Sequence, residues 1–172
     1  KKKKKILEYS TEEFITLKKE LQVLSLYVQI KQWRFRDEFG FIIKVDESLN
    51  DEELIVPPLI VQPFLENAIW HGLMQKQGEK KIELFVEDAG NKLKIVLRDN
   101  GIGRDEASRN NVGKQKENRS MAIDLTRQRI EMLEEKDKKG DKVTIIDLYD
   151  DSRAPKGTEV RLLIPKIQKR VK

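Results

Sequence analysis

The sequence contains no cysteine and a single histidine, His71. Without cysteine there is no disulfide framework and no thiolate metal site, and a lone histidine argues against a His-rich zinc site. The longest apolar run, residues 55–65, is interrupted by three prolines and a glutamine, so it cannot span a membrane. We therefore expect folding to depend on the packing of a hydrophobic core.

Charge of one sign is nowhere concentrated, except in the five lysines that begin the sequence. The 172 residues include 35 basic and 30 acidic side chains, which intermingle along the chain and give a net charge of +5. A nucleic-acid binder usually gathers its basic residues on one surface, with aromatic residues between them. We expect no nucleic-acid partner. A basic nucleic-acid module is the third alternative function, after the two that are named at the end of this subsection. The length fits one domain with an extended element at one end.

Residues 10–36 are predicted to form one long helix, because Ser10 followed by Glu13 is a capping-box pattern. Two apolar stripes follow at helical spacing: Phe14, Leu17, Leu21, Leu24 and Val28 form the first, and Val23, Leu26, Ile30 and Trp33 form the second. One stripe can pack on the domain, which leaves the other for a second helix in the same or another chain. A helix buried on both sides within one domain fits the periodicity equally well.

Five segments are predicted to be strands: residues 39–45, 81–87, 92–98, 143–148 and 158–164. The second and third alternate apolar with polar residues, and the turn containing Gly90 makes them an antiparallel hairpin. Alternation leaves one sheet face wet, and helices at about residues 59–73 and 121–136 cover the other. We expect an α/β fold, a two-layer sandwich of a mixed sheet covered by helices, with a long N-terminal helix.

Residues 56–72, here called the first motif, contain most of the predicted helix at 59–73. At 100° per residue Glu66, Asn67, Trp70 and His71 share one side of this helix, while Val61, Leu65, Ala68 and Ile69 share the other. A carboxylate beside an amide suits a Mg²⁺ ion that holds phosphate oxygens and keeps several waters. An ordinary solvated helix face has the same composition.

Residues 99–103, here called the second motif, end the second strand of the hairpin with Asp-Asn-Gly-Ile-Gly. By itself Asp-Asn-Gly is a turn signal. The functional interpretation is that Asp99 accepts a hydrogen bond from a purine amino group, while Gly101 and Gly103 let the backbone approach the ring. The order and spacing of the two motifs around a hairpin favour the functional interpretation.

Three stretches together resemble a known family. The first motif, VPPLIVQPFLENAIWHG, is similar to the N box of LytS-type sensor histidine kinases, and the second, DNGIG, is similar to the first glycine box of the GHKL ATPase superfamily. Residues 157–165, GTEVRLLIP, resemble the closing strand of that family. The resemblance implies an ATP-binding catalytic domain of a two-component sensor histidine kinase. It would transfer the γ-phosphoryl group of ATP to a histidine outside this chain.

The resemblance also implies roles for particular residues. Asn67 would ligate Mg²⁺, and Glu66 would act as a general base or orient water. Asp99 would recognise adenine. The nucleotide would also contact His71, Gly101 and Gly103, and residues 104–119 would form an ATP lid in which Lys114, Lys116 and Arg119 meet the phosphates.

Two positions depart from the family pattern. Ser120 and Ala122 stand where glycines are common in a second glycine box, and backbone amides at the start of a helix there would still cradle phosphate. Trp70 stands where many relatives have a lysine that touches phosphate. The single histidine, His71, lies in the first motif, whereas the acceptor in this family precedes the long helix.

The expected organisation is residues 1–37 as the remnant of a dimerisation and phosphoacceptor region, followed by an ATP-binding domain in residues 38–172. Expected partners are ATP, an upstream phosphoacceptor helix, a second protomer and a response regulator. The parent protein is expected to be membrane-attached, with this part in the cytoplasm. The alternatives are an anti-sigma-type protein serine kinase, which shares both motifs, and a catalytically inactive docking module of the same fold.

Overall fold

The computed structural model describes residues 14–35, 39–104, 114–133 and 141–169, with the backbone alone for residues 35 and 114–120. In chain order the elements are β1 (Ile15–Thr16), α1 (Leu17–Phe35), β2 (Gly40–Val45), β3 (Leu54–Val56), α2 (Gln62–Asn67), a π-helical segment (Ala68–Leu73), β4 (Lys81–Ala89), β5 (Lys92–Asp99), α3 (Lys114–Leu133), β6 (Val143–Tyr149), β7 (Pro155–Pro165) and β8 (Ile167–Gln168). Within these ranges no helix has the length and apolar character needed to cross a membrane.

A five-stranded mixed sheet with the order β2-β4-β5-β7-β6 forms the centre of the fold. Strands β2 and β4 are parallel, and the other neighbours are antiparallel. All five predicted strands are present, and β7 begins at Pro155, three residues before its predicted start. Only Gly90 and Asn91 separate β4 from β5, and Gly90 has φ +74°, as tight hairpin turns require. The two-layer mixed α/β architecture is confirmed.

Helix α1 contributes only one of its two apolar stripes to the hydrophobic core. Leu17 and Leu24 are fully buried, and Leu21 and Val28 are nearly so. On the second stripe the exposed fractions are 58% for Leu26, 61% for Ile30 and 86% for Trp33. The first stripe therefore belongs to the core, and the described part of the chain does not cover the second.

The start of α1 differs from the prediction. The helix begins at Leu17, and Ile15 pairs with Val56 in a small three-stranded sheet of order β1-β3-β8. The hydroxyl of Thr16 accepts the Lys19 N–H at 3.2 Å, so it caps the helix. The predicted cap, Ser10 with Glu13, lies outside the described residues. Strand pairing of the β-branched Ile15 overrides the helical periodicity that continues through it.

The other two helices also start elsewhere than predicted. Helix α3 begins at Lys114, not at residue 121, so residues 114–119 of the predicted 104–119 loop are helical, while residues 105–113 lie outside the described ranges. Helix α2 begins at Gln62, not at residue 59, because Leu59 has φ +57°, which no right-handed helix permits. The apolar side predicted for the first motif is buried as expected: Val61, Leu65, Ala68 and Ile69.

A fully buried carboxylate joins α1 to the first motif. Glu20 accepts backbone hydrogen bonds from Leu59 at 2.9 Å, Ile60 at 3.0 Å and Val61 at 3.4 Å. These N–H groups precede α2 or open it, so no carbonyl of that helix can pair with them. Burial raises the pKa of Glu20, and the three N–H donors and the charge of Arg129 oppose that shift. Glu20 therefore fixes the backbone from which the first motif starts.

We expect Glu20→Ala to lower the free energy of unfolding by about 3 kcal/mol, because it leaves buried N–H donors without an acceptor. Glu20→Gln should lose less, since one side-chain oxygen still accepts. Glu131→Ala, at an exposed position of α3, is the matched control and should change stability by less than about 0.5 kcal/mol. Urea denaturation measures all three, and a loss below about 1 kcal/mol for Glu20→Ala would contradict this role.

Candidate functional site

A second buried carboxylate, Asp99, ends β5 with an exposed fraction of 4%. Its Oδ1 accepts the Gly101 N–H at 2.8 Å, and its Oδ2 accepts the Thr158 hydroxyl. Burial raises the pKa of Asp99, whereas these two hydrogen bonds and the charge of Lys76 oppose the shift. A carboxylate has about four lone-pair sites, so Asp99 retains capacity to accept further donors.

The two sequence motifs meet backbone against backbone beside Asp99. The Ile102 N–H donates to the Gly72 carbonyl at 3.2 Å. A Cβ added to Gly101 would lie 2.4 Å from the Gly72 Cα, and one added to Gly72 would lie 3.0 Å from the Asp99 Oδ1. Only glycine allows this approach. The second motif is therefore in direct contact with the end of the first, although nearly thirty residues separate them.

The first motif changes its helical geometry before it reaches Asp99. Helix α2 ends at Asn67, and the chain continues as a π-helix from Ala68 to Leu73. A π-turn is wider than an α-turn, and such insertions occur frequently at functional sites. Ala68, Ile69 and Leu73 remain buried, while His71 and Gly72 are partly exposed. The sequence periodicity did not reveal this change.

The predicted polar residues of the first motif are held at its solvent side. Glu66 and Asn67 are half-buried at the end of α2, and the Gln62 Nε2 donates to the Glu66 Oε1 at 2.9 Å. Trp70 is 38% exposed, and its ring lies 5.1 Å from the Lys31 Nζ. The Lys31 Nζ is also 4.9 Å from the Tyr27 ring, so α1 contributes to this surface.

The remaining residues predicted to contact the nucleotide are placed only in part. Gly103 follows the second motif with φ +81°, and a Cβ there would lie 3.0 Å from the Pro155 Cβ. Lys114, Lys116 and Arg119 belong to α3, and their side chains lie outside the described part of the structure.

The expected helix start at Ser120 and Ala122 is wrong. These residues are the seventh and ninth of α3, beyond the four free N–H groups that open a helix. The expected contact of their amides with phosphate stays a prediction. The helix begins earlier because residues 114–119, mostly charged or amide side chains, are good helix formers.

Several residues of the site escaped the sequence analysis. Thr158 pairs directly with Asp99 across β5 and β7, and a Cβ on Gly157 would lie 2.0 Å from the Asp99 carbonyl oxygen. Asn100 accepts the Lys81 N–H through its Oδ1 at 2.8 Å, and its carbonyl accepts the Lys76 ammonium. The one signal available in the sequence was Gly157-Thr158, which begins the stretch that resembles the closing strand of the family.

The predicted lid begins at a well-defined anchor. Arg104 forms a two-pronged ion pair with Asp147 on β6, with N–O distances of 2.7 and 2.6 Å. The hydrogen bonds from Arg104 lower the pKa of Asp147. The chain after the second motif is thereby tied to the far edge of the sheet.

The donor set at the site suits a nucleotide better than a protein-held metal cluster. Nowhere in the described ranges do three or more acidic or histidine side chains gather into a group that could hold a metal. A Mg²⁺ ion bound mainly through phosphates needs only one or two protein ligands, and the Asn67 amide oxygen is of the right kind. The buried Asp99 acceptor beside bare glycine backbone fits a flat ring with an amino donor.

Comparisons with known proteins find relatives that are named sensor histidine kinases. No family model matches. The chain is 37% identical over 99 residues to the sensor histidine kinase YpdA of Escherichia coli, covering 58% of this chain and 17% of YpdA. It is 37% identical over 123 residues to the sensor protein LytS of Oceanobacillus iheyensis, covering 69% and 21%. The chain thus spans about a fifth of the length of these curated relatives.

Solved structures agree in fold. The histidine kinase domain of the Erythrobacter litoralis EL346 blue-light activated histidine kinase has a TM-score of 0.57 at 19% identity, over 88% of this chain and 61% of that one. The catalytic domain of histidine kinase ThkA has a TM-score of 0.55 at 15% identity, over 89% and 95%. At these identities the likeness establishes the fold alone.

We expect Gly101→Ala to destabilise the protein by about 1–3 kcal/mol, because the new Cβ would overlap the Gly72 backbone. Gly40→Ala is the matched control, since its Cβ would meet only the Lys81 Cγ at 3.8 Å and the Lys80 carbonyl oxygen at 3.9 Å. Thermal denaturation of both variants measures the difference. Equal melting temperatures would mean that the two motifs are not in backbone contact.

Proposed function

Since the chain is a relative of the LytS-type sensor histidine kinases and has the fold of histidine kinase catalytic domains, we propose that it binds Mg·ATP and donates the γ-phosphoryl group to a histidine outside the chain. The observation that carries the proposal is the position of Asp99. A buried carboxylate with unused lone pairs lies against the glycine backbone of both motifs. Protein-histidine kinases of this kind need such a purine site.

Adenine recognition is assigned to Asp99, with Gly101 and Thr158 holding the carboxylate. The adenine amino group is a donor that Asp99 can accept, whereas guanine would present a carbonyl oxygen to it. Gly101 meets the end of the first motif, and with Gly103 and His71 it is proposed to contact the nucleotide.

Phosphate handling is assigned to the end of α2. Asn67 would hold the metal through its amide oxygen, and a bound Mg²⁺ would neutralise charge on the phosphate oxygens. Glu66, the preceding residue, would orient the attacking group or take its proton. Phosphoryl transfer depends on positioning and charge neutralisation more than on covalent chemistry, so one amide and one well-oriented carboxylate meet the demand.

The acceptor and the partners are proposed to lie outside the chain. The exposed stripe of Leu26, Ile30 and Trp33 gives an upstream phosphoacceptor helix or a second protomer an apolar surface. A response regulator would receive the phosphoryl group, and the parent protein would be membrane-attached with this part in the cytoplasm. Residues 1–37 would then belong to the dimerisation and phosphoacceptor region.

One observation favours a second candidate, a catalytically inactive docking module. Ser120 and Ala122 lie well inside α3, beyond the free N–H groups that open a helix. A docking module of this fold would retain the buried Asp99 without binding ATP. A measurement of ATP binding distinguishes the kinase, which binds ATP, from the docking module, which does not.

We expect Asp99→Asn to weaken ATP binding by roughly 1.5–3 kcal/mol, the range for a hydrogen bond to a charged group. Asp151→Asn, in an exposed turn, is the matched control and should bind ATP like the parent. Isothermal titration calorimetry with Mg·ATP and Mg·GTP measures the affinities. Unchanged ATP affinity in the Asp99 variant would remove this residue from the site.

The pH dependence of stability tests the same carboxylate without nucleotide. Burial raises the pKa of Asp99 in the folded state above its value in the unfolded state. Asp99 therefore makes its whole contribution to the free energy of unfolding below the unfolded-state pKa, and it loses this contribution as the pH rises through the folded-state pKa. Asp99→Asn removes this decline, so the variant should gain stability relative to the parent across that window. Urea denaturation at several pH values checks the sign, and a relative loss with rising pH would contradict it.

The chain alone should bind ATP and yet fail to phosphorylate itself, because His71 is fixed on the helix that carries Asn67. In-line transfer needs the attacking nitrogen roughly 3–3.5 Å from phosphorus and opposite the leaving oxygen. Incubation with radiolabelled ATP, followed by mapping of acid-labile label, tests this. Stoichiometric label on His71 would overturn the proposal, whereas label on a histidine-bearing segment supplied separately would support it over the docking module.

A further inference from the structure

The carboxylate of Glu66 is oriented by its own helix. The Gln62 Nε2 donates to the Glu66 Oε1 at 2.9 Å, across one turn of α2, where residues four apart are neighbours. Gln62 carries no charge, so this bond holds one oxygen without neutralising the carboxylate. A side-chain hydrogen bond between two partly buried groups restricts the rotamers of both.

Helix α1 brings a tyrosine next to the same carboxylate. The Tyr27 hydroxyl is close enough to the Glu66 carboxylate and the Trp70 indole to interact with both. Burial, followed by the negative charge of Glu66, raises the pKa of Tyr27 to about 12. The phenol therefore stays protonated at neutral pH and can donate to Glu66.

A cation completes this cluster of Tyr27, Lys31, Gln62, Glu66 and Trp70. The Lys31 Nζ lies over the rings of both Tyr27 and Trp70, at 4.9 and 5.1 Å from their centroids. Such cation–π contacts contribute about 0.5–1 kcal/mol at exposed sites. They hold Tyr27 and Trp70 together across the boundary between α1 and the first motif.

We infer that Gln62 is a positioning residue for Glu66, and that Tyr27 of α1, held beside Trp70 by Lys31, assists it. The inference rests on the proposed function, because Glu66 acts on the transferred group only if the chain is a kinase. It goes beyond that function by assigning the alignment of Glu66 to two residues that do not touch ATP. One of them lies on α1, so the docking of α1 is part of the catalytic geometry.

A double-mutant cycle tests the inference in the protein that carries this chain together with its acceptor histidine. Gln62→Ala should lower the single-turnover transfer rate by about tenfold, as expected for a hydrogen bond to a charged group, with KM for ATP nearly unchanged. In a Glu66→Gln background the same change should have less than about a twofold effect, because the carboxylate that Gln62 positions is already absent. Gln128→Ala, exposed on α3, is the matched control.

Gln62→Glu separates positioning from simple packing. Glutamate matches glutamine in size, but at neutral pH it repels Glu66 and donates no hydrogen bond. The inference expects Gln62→Glu to be slower than Gln62→Ala, whereas a structural role for the side-chain volume expects the reverse. Tyr27→Phe should lower the transfer rate in the same way, and Tyr149→Phe, which changes a half-exposed tyrosine, should not.

A readout independent of activity uses the nucleotide-free chain. The side-chain amide resonances of Gln62, observed by NMR, should shift in Glu66→Gln and stay in place in Glu131→Gln. Additive effects in the cycle, a faster Gln62→Glu than Gln62→Ala, or unshifted resonances would each overturn the inference and leave the proposed function intact. A parent chain that does not bind Mg·ATP would instead remove the proposed function, and the inference with it.

Discussion

The structure depends on one close approach, in which the backbones of Gly72 and Gly101 meet with no room for a side chain between them. This contact joins the end of the first motif to the turn that follows β5, and the Ile102 N–H secures it on the Gly72 carbonyl. Asp99 lies beside it and holds the same turn through the Gly101 N–H. The contact therefore brings the end of the first motif next to the buried Asp99 carboxylate.

The two buried carboxylates, Glu20 and Asp99, hold different parts of the backbone. Glu20 accepts three backbone N–H groups, so its lone pairs are largely used in fixing the start of the first motif. Asp99 accepts the Gly101 N–H and the Thr158 hydroxyl, and the Thr158 N–H is a further backbone donor beside it, so Asp99 holds the turn after β5 to β7. Burial raises the pKa of both groups. The two acids differ in position: Glu20 holds the start of the first motif, whereas Asp99 lies beside the contact between the two motifs.

Much of the fold was predictable because its periodicities are strong. Strands β4 and β5 alternate cleanly around Gly90, and the buried side of the first motif repeats at helical spacing, so the sheet and its covering helix could be read from the sequence. The boundaries were less accessible. Ile15 leaves the helical pattern to pair with Val56, and Leu59 adopts a positive φ that is compatible with the Glu20 carboxylate accepting its N–H. Both outcomes are set by tertiary partners, which periodicity does not contain.

The site was predictable in its chemistry and only partly in its geometry. Asp99, Asn67 and the glycines stand out as residue types, yet Thr158 is brought to Asp99 only by the register of β7, and the register of a sheet is a long-range property. The π-helical turn after Asn67 is similarly invisible, because it changes the residues per turn without changing which residues are apolar. The early start of α3 reverses one expectation, since local helix propensity outweighed the loop-like polarity of residues 114–119.

The buried side chains of helix α1 couple its position to that of the first motif. Leu17, Leu21, Leu24 and Val28 are buried, and each buried aliphatic side chain contributes about 1.5–3 kcal/mol. Together they are comparable with the whole free energy of unfolding of a domain, about 5–15 kcal/mol. Detachment of α1 would therefore expose four side chains of the hydrophobic core. Glu20, Tyr27 and Lys31, spaced seven and four residues apart on one face of α1, all meet the first motif or its neighbours. A displacement of α1 must consequently carry the first motif with it.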